Sequence, residues 1–167
     1  VNNRPVIVDT GTSTYEVNQT RFYERSTAAH NTVVVHDSNS SEVWAGHRVG
    51  RRASVTILEE TTDRLVAIHD GYVSKNLKHT RSFEMKDGFY TIFDSITSEA
   101  VAYLHFHPSE KIKMEKEVII GSDYHVKFIG ADSIELFESY YAPEFNKKIP
   151  SIGVRIYFKN KLQTIFG

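Results

Sequence analysis

The chain has 167 residues, 40% hydrophobic and 25% charged, the length of one domain and the balance of a folded chain with a real core. Twenty Lys and Arg against 21 Asp and Glu leave a net charge of −1, which argues against nucleic acid as a bulk partner. There is no cysteine, hence no disulfide framework and no thiolate metal site, and no apolar stretch long enough to span a membrane.

The pattern is β from end to end. Strands are predicted at 6–8, 32–36, 53–59, 64–69, 79–85, 89–94, 101–107, 111–120, 125–129, 133–138 and 152–158, segments rich in Val, Ile, Phe, Tyr and Thr, several alternating apolar with polar. Turn signals separate them, among them Asp70-Gly71, Asp87-Gly88, Gly121-Ser122-Asp123 and Gly130-Ala131-Asp132. Only 21–25 suggests a helical turn. With about eleven strands and no crossover helices, the expected fold class is all-β: an antiparallel, multi-stranded β-sandwich of stacked large sheets, one domain over 1–167. No signal peptide is visible, and the chain begins with Val rather than Met close to its first strand, so it reads as a piece of a longer protein.

The most informative run is Arg25-Ser26-Thr27-Ala28-Ala29-His30-Asn31-Thr32-Val33-Val34-Val35. It sets one imidazole among small residues at the threshold of a β-branched strand, an accessible and rigidly held position. Histidine titrates near neutrality, so such a residue suits proton transfer or metal ligation, though a structural role is the commoner outcome for a lone His. A basic cluster follows: His47, Arg48, Arg51 and Arg52. Guanidinium groups match carboxylates and sulfates with paired hydrogen bonds, which makes this a plausible anion-binding patch. As a strand, the segment would put Arg48 and Arg52 on one face and Arg51 on the other. A salt bridge from Arg48 to Glu42 or Glu59 is the competing expectation. Arg25 is expected in a structural ion pair with Asp9 or Glu24, and the single Trp, Trp44, is expected to pack. His79 is expected at the surface beside a carboxylate. His105 and His107 are expected on a half-exposed sheet face, and no partner is evident for His36, His69 or His125. The aromatic run 137–141 is expected to form strand core and edge rather than a sugar platform.

The order of these motifs is distinctive. Arg4-Pro5-Val6-Ile7-Val8-Asp9-Thr10-Gly11-Thr12, Arg21, the run around His30, Ser41-Glu42-Val43-Trp44 with Arg48, Arg51 and Arg52, and then His79-Thr80-Arg81-Ser82-Phe83 with Asp87-Gly88 and Asp94 resemble the C-terminal β-sheet domain of heparinase II/III-like polysaccharide lyases. The likeness is close over 4–95 and persists beyond only as strand rhythm. It implies β-elimination of a uronic-acid polysaccharide in a cleft shared with an N-terminal α/α toroid, which supplies Asn and Tyr while the β domain supplies a His. His30 occupies that position. It also implies an acidic polysaccharide substrate met by Arg48, His47 and Arg52, no nucleic-acid partner, no membrane span, and a periplasmic or secreted location. Some relatives carry two histidines here, spaced by one residue, one catalytic and one a metal ligand; in this chain the earlier position is Ala28. His30 therefore stands either as the catalytic group or, with His79, as a ligand for zinc or another divalent metal.

Overall fold

The computed structural model describes residues 4–167, and strand dominates it: 55% of residues against 7% helix. The strands are β1 (Val33–Val34), β2 (Val43–Trp44), β3 (Arg48–Val49), β4 (Val55–Glu60), β5 (Arg64–His69), β6 (His79–Lys86), β7 (Phe89–His105), β8 (Lys113–Glu115), β9 (Val118–Ile120), β10 (His125–Tyr141) and β11 (Ile149–Phe166). One helix, α1 (Gln19–Glu24), begins where the Asn18 side chain accepts the Arg21 N–H. Nine strands form a single antiparallel sheet in the order β4-β5-β6-β7-β11-β10-β9-β8, with β1 also paired to β7; β2 and β3 make a separate hairpin.

The predicted strands 89–94 and 101–107 are halves of β7, and 125–129 and 133–138 are halves of β10. Each long strand is continuous but bent. The β10–β11 register shifts around Gly130 and the β7–β11 register shifts at Asn160. Gly130 has φ +88, and a Cβ there would lie 2.6 Å from the Lys161 carbonyl oxygen. Asn160 also takes a left-handed φ, +67. Bulges of this kind sharpen twist and turn a strand through a corner. The sheet consequently folds over on itself. Leu104 near one end of β7 and Tyr90 near the other line one cavity together with Val6 and Phe166, and Arg81 of β6 reaches across to the Asn31 carbonyl. The two layers of the sandwich are thus two ends of one hydrogen-bonded sheet.

Alternation along the strands fills the space between the layers: Ala100, Ala102 and Leu104 of β7, Val126 and Phe128 of β10, and Val154, Ile156 and Phe158 of β11 belong to one buried cluster with Val33 and Val35. Truncating Phe128 or Phe158 to Ala would cost about 3–5 kcal/mol. Two predicted strands take other forms. Segment 111–120 is the β8–β9 hairpin, because Lys116 turns the chain at φ +55. Segment 6–8 contributes only the bridge Ile7–Phe106, for a reason that matters to the site below.

Candidate functional site

His30 closes a 3-10 turn, Thr27–Ala29, that fits only small side chains: Ala29 is fully buried and its carbonyl accepts the Thr10 hydroxyl at 3.0 Å. The turn is also held from beneath. His105, 0% exposed, donates from Nε2 to the Ala28 carbonyl at 2.9 Å and accepts the Ser139 hydroxyl at Nδ1, also at 2.9 Å. Burial lowers the His105 pKa, consistent with a neutral ring that serves as a strut. That role replaces the half-exposed sheet face expected for it.

The His30 ring points outward, its side chain 44% exposed, with Nδ1 2.5 Å from Oδ2 of Asp9. A carboxylate can only accept, so Nδ1 carries the proton and Nε2 is left outside this hydrogen bond. The hydrogen bond to Asp9 raises the His30 pKa above its ordinary 6.5, outweighing the desolvation that opposes it. For Asp9, burial pushes the pKa up, but the hydrogen bonds from His30 and from the Gly11 N–H together with the His30 charge bring it below its ordinary value. Gly11 makes that second bond at 2.9 Å from φ +77, and a Cβ there would lie 2.2 Å from the Ala142 carbonyl oxygen. Glycine is therefore required at the turn that presents Asp9.

Asp9 was not singled out as a partner for His30 by sequence reasoning. The signal was available: an Asp-Thr-Gly turn directly after an apolar triplet is where a short carboxylate folds back on its own backbone. Arg25 takes a different role from the expected ion pair. Its guanidinium donates to the carbonyls of Trp44, Ala45 and Arg48 at 3.0, 2.7 and 2.9 Å, tying the β2–β3 hairpin to the segment that leads to His30. Trp44 does not pack; it is 52% exposed, with the Arg48 guanidinium 4.7 Å from its ring centroid, so Arg48 stacks rather than pairing with Glu42 or Glu59.

The basic patch divides. Arg51 is engaged by Asp70, at 2.7 Å from the carboxylate and 2.9 Å from the carbonyl. His47, Arg48 and Arg52 are exposed, with His47 against the Tyr15 ring at 5.8 Å. Because β3 ends at Val49, Arg52 does not share a strand face with Arg48. The structure thus gathers His47, Arg48 and Trp44 on one hairpin but shows no contact between them and His30.

His79 lies in the interior, 1% exposed, rather than at the surface. Its Nε2 donates to Asp94 Oδ1 at 2.6 Å and its Nδ1 accepts from His69 Nε2 at 2.9 Å, while His69 Nδ1 accepts the Gly71 N–H at 3.0 Å. Asp94 also receives a two-point grip from Arg81, at 2.7 and 3.0 Å. Burial alone would raise the Asp94 pKa; Arg81 and the His79 hydrogen bond bring it below the ordinary range. Burial, with His79 and Arg81 adding to it, takes His69 down to about 4. Both ring nitrogens of His79 are engaged, and His30 and His79 stand in separate networks. Among the described residues no three His, Cys, Asp or Glu side chains are grouped to hold a metal ion, so no ready-made ligand set is present. No helix of the described residues is long and apolar enough to cross a membrane.

Comparison with known proteins bears on the family and the fold. The family model described as heparinase II/III-like, C-terminal, matches residues 1–164. Among solved structures, the heparinase III BT4657 gene product superposes with a TM-score of 0.78 at 19% identity, over 99% of this chain and 28% of that one. A structure titled heparinase III gives 0.77 at 17%, over 99% and 28%, and heparan sulfate lyase HepC from Pedobacter heparinus gives 0.74 at 16%, over 98% and 28%. At these identities the likeness is one of fold, and the chain spans little more than a quarter of each protein's length. A search of curated proteins found no match. With the family model covering nearly every residue of the sandwich that carries Asp9 and His30, the chain belongs to the heparinase II/III-like, C-terminal family.

Proposed function

We propose that this chain is the C-terminal domain of a polysaccharide lyase that cleaves a uronic-acid-containing polysaccharide by β-elimination, and that His30, oriented by Asp9, is the group it lends to the reaction. The observation that carries the reading is the Asp9–His30 hydrogen bond of 2.5 Å between two half-exposed side chains, which engages Nδ1 and not Nε2. β-Elimination removes the proton alpha to the uronate carboxylate, neutralises that carboxylate and protonates the departing glycosidic oxygen. The Asp9 hydrogen bond favours the imidazolium form of His30, in which Nε2–H is suited to donate to the uronate carboxylate or to the leaving oxygen.

We assign the remaining groups to the N-terminal toroid that the resemblance implies. Six tyrosine hydroxyls have shifted pKa values, and Tyr23, Tyr72, Tyr90, Tyr124, Tyr140 and Tyr157 are all displaced upward, chiefly by desolvation, away from a phenolate base. The half-exposed dyad also needs a second wall to exclude water. Both points support a cleft completed by an N-terminal toroid, with Arg48, His47 and Arg52 contacting the acidic chain outside it.

The test uses the full-length protein containing this chain, several uronate polymers and the absorbance of the unsaturated product. His30→Ala should lower kcat by on the order of 10²-fold or more with melting temperature nearly unchanged. A metal role for His30 and His79 predicts instead that both alanine variants lose bound zinc and melting temperature together. A second reading, sugar binding without catalysis, is favoured by exposed Trp44 under Arg48. It predicts retained turnover in His30→Ala and weakened polysaccharide binding in Trp44→Ala.

A further inference from the structure

We infer that Asn31 is the positioning residue of the Asp9–His30 pair, its side-chain amide bridging the two segments that carry the pair. The inference rests on the catalytic reading of His30 for its functional meaning, but its geometric basis is independent. Segment 6–8 runs antiparallel to the end of β7, with His107 N–H donating to the Val6 carbonyl at 2.8 Å and Val8 N–H donating to the His105 carbonyl at 2.9 Å. A regular ladder would complete the Val8–His105 pair with a reciprocal bond from His105 N–H to the Val8 carbonyl. That bond is replaced. His105 N–H donates to Asn31 Oδ1 at 2.7 Å, and Asn31 Nδ2 donates to the Val8 carbonyl at 3.0 Å.

One amide thus enters the ladder and satisfies both backbone groups it separates. The wedge also explains why segment 6–8 yields a single bridge instead of a strand. Asp9 follows Val8 directly and His30 precedes Asn31 directly, so each member of the pair is one residue from an atom held by the same side chain. The Asn31 backbone is fixed as well: its carbonyl accepts from Arg81 at 2.5 Å, and Arg81 is gripped by buried Asp94. The next residue, Thr32, accepts the Tyr103 N–H at 2.9 Å and leads into β1. Asn is the residue for this position because it presents one acceptor and one donor in a plane; Asp lacks the donor, and Ala lacks both.

The experiment reads the tautomer of His30 in the 167-residue chain by long-range proton–nitrogen NMR, at a pH where the ring is neutral, with assignment by His30→Gln. Wild type should show the proton on Nδ1, and Asp9→Asn should shift the population toward Nε2–H, the form a free imidazole prefers. Asn31→Asp keeps the acceptor for His105 N–H but sets a carboxylate oxygen against the Val8 carbonyl. It should move the tautomer as Asp9→Asn does, while amide protection in the β7–β11 ladder persists. In the full-length protein the same variant should lower kcat about tenfold with KM unchanged. Asn31→Ala should do the same where it folds; Asn31→Asp serves as the isosteric variant where it does not. Retention of the Nδ1–H tautomer in folded Asn31→Asp, or its absence from wild type, would overturn the assignment. Retained turnover in His30→Ala with a tautomer that responds to Asn31 would instead refute the catalytic role of His30 while leaving the wedge intact.

Discussion

Asp9 and His30 shift one another's pKa values in opposite directions, and this sets the pH range in which their attraction operates. His30 is raised above 6.5, so its contribution to stability is full below that value and is lost as pH rises through the folded-state pKa. Asp9 is lowered below 3.8, so its contribution is present above that value and is lost as pH falls through its own folded pKa. The pair is therefore ionised on both sides between those limits. Asp9→Asn should lower the His30 pKa, because only desolvation then acts on it, and the alkaline limb of kcat should move to lower pH by the same amount; an unmoved limb would mean that the limb belongs to another group. His30 was legible in the sequence because small residues and a β-branched strand flank it. Asp9 was not paired with it, since the two are 21 positions apart and only the folded sheet brings them together.

At the scale of elements, the two structures that support the site make separate predictions. The first is the line His69–His79–Asp94–Arg81, which fastens β5, β6 and β7 and ends on the Asn31 carbonyl. His69 titrates at about 4 in the folded chain against an ordinary 6.5, so the unfolded chain binds the extra proton between those values and stability falls as pH drops through that window. Thermal melts across it should show the loss, on the order of 1–3 kcal/mol in all, and His69→Gln should flatten it. Arg81→Ala would leave Asp94 buried without its main counter-charge and should cost about 3–5 kcal/mol. The second is the Arg25 clamp on three carbonyls of the β2–β3 hairpin. Arg25→Ala should release the hairpin, seen as faster amide exchange at 43–49 and altered Trp44 emission, with about 1–3 kcal/mol lost. These roles were hidden at sequence level because an Arg on backbone carbonyls leaves no pairing pattern, whereas an Arg beside acidic residues suggests one.

For the whole molecule, one sheet forms both layers, so residues at opposite ends of β7 face each other and a single buried cluster links the halves. On the proposed reading, elimination at the half-exposed dyad draws on groups from outside the chain. The 167-residue chain alone should accordingly give no unsaturated product from heparan sulfate, alginate or other uronate polymers under conditions where the full-length protein does. Robust turnover by the chain alone would place the active site elsewhere than in a shared cleft.

The all-β class, the antiparallel pairing and most strand positions were determined by the sequence alone, because alternation, β-branching and turn residues are local and period-based signals. Tertiary structure decided the rest. Bulges at Gly130 and Asn160 join predicted half-strands into long bent ones, and this folding-over carries Arg81 to Asn31. Trp44 is solvent-exposed although apolar neighbours suggested packing, and His69, given no partner by the sequence, joins His79 across the β5–β6 pair. Which carboxylate meets which imidazole, and which amide replaces a ladder bond, depend on contacts between residues distant in the chain; local periodicity carries no record of them.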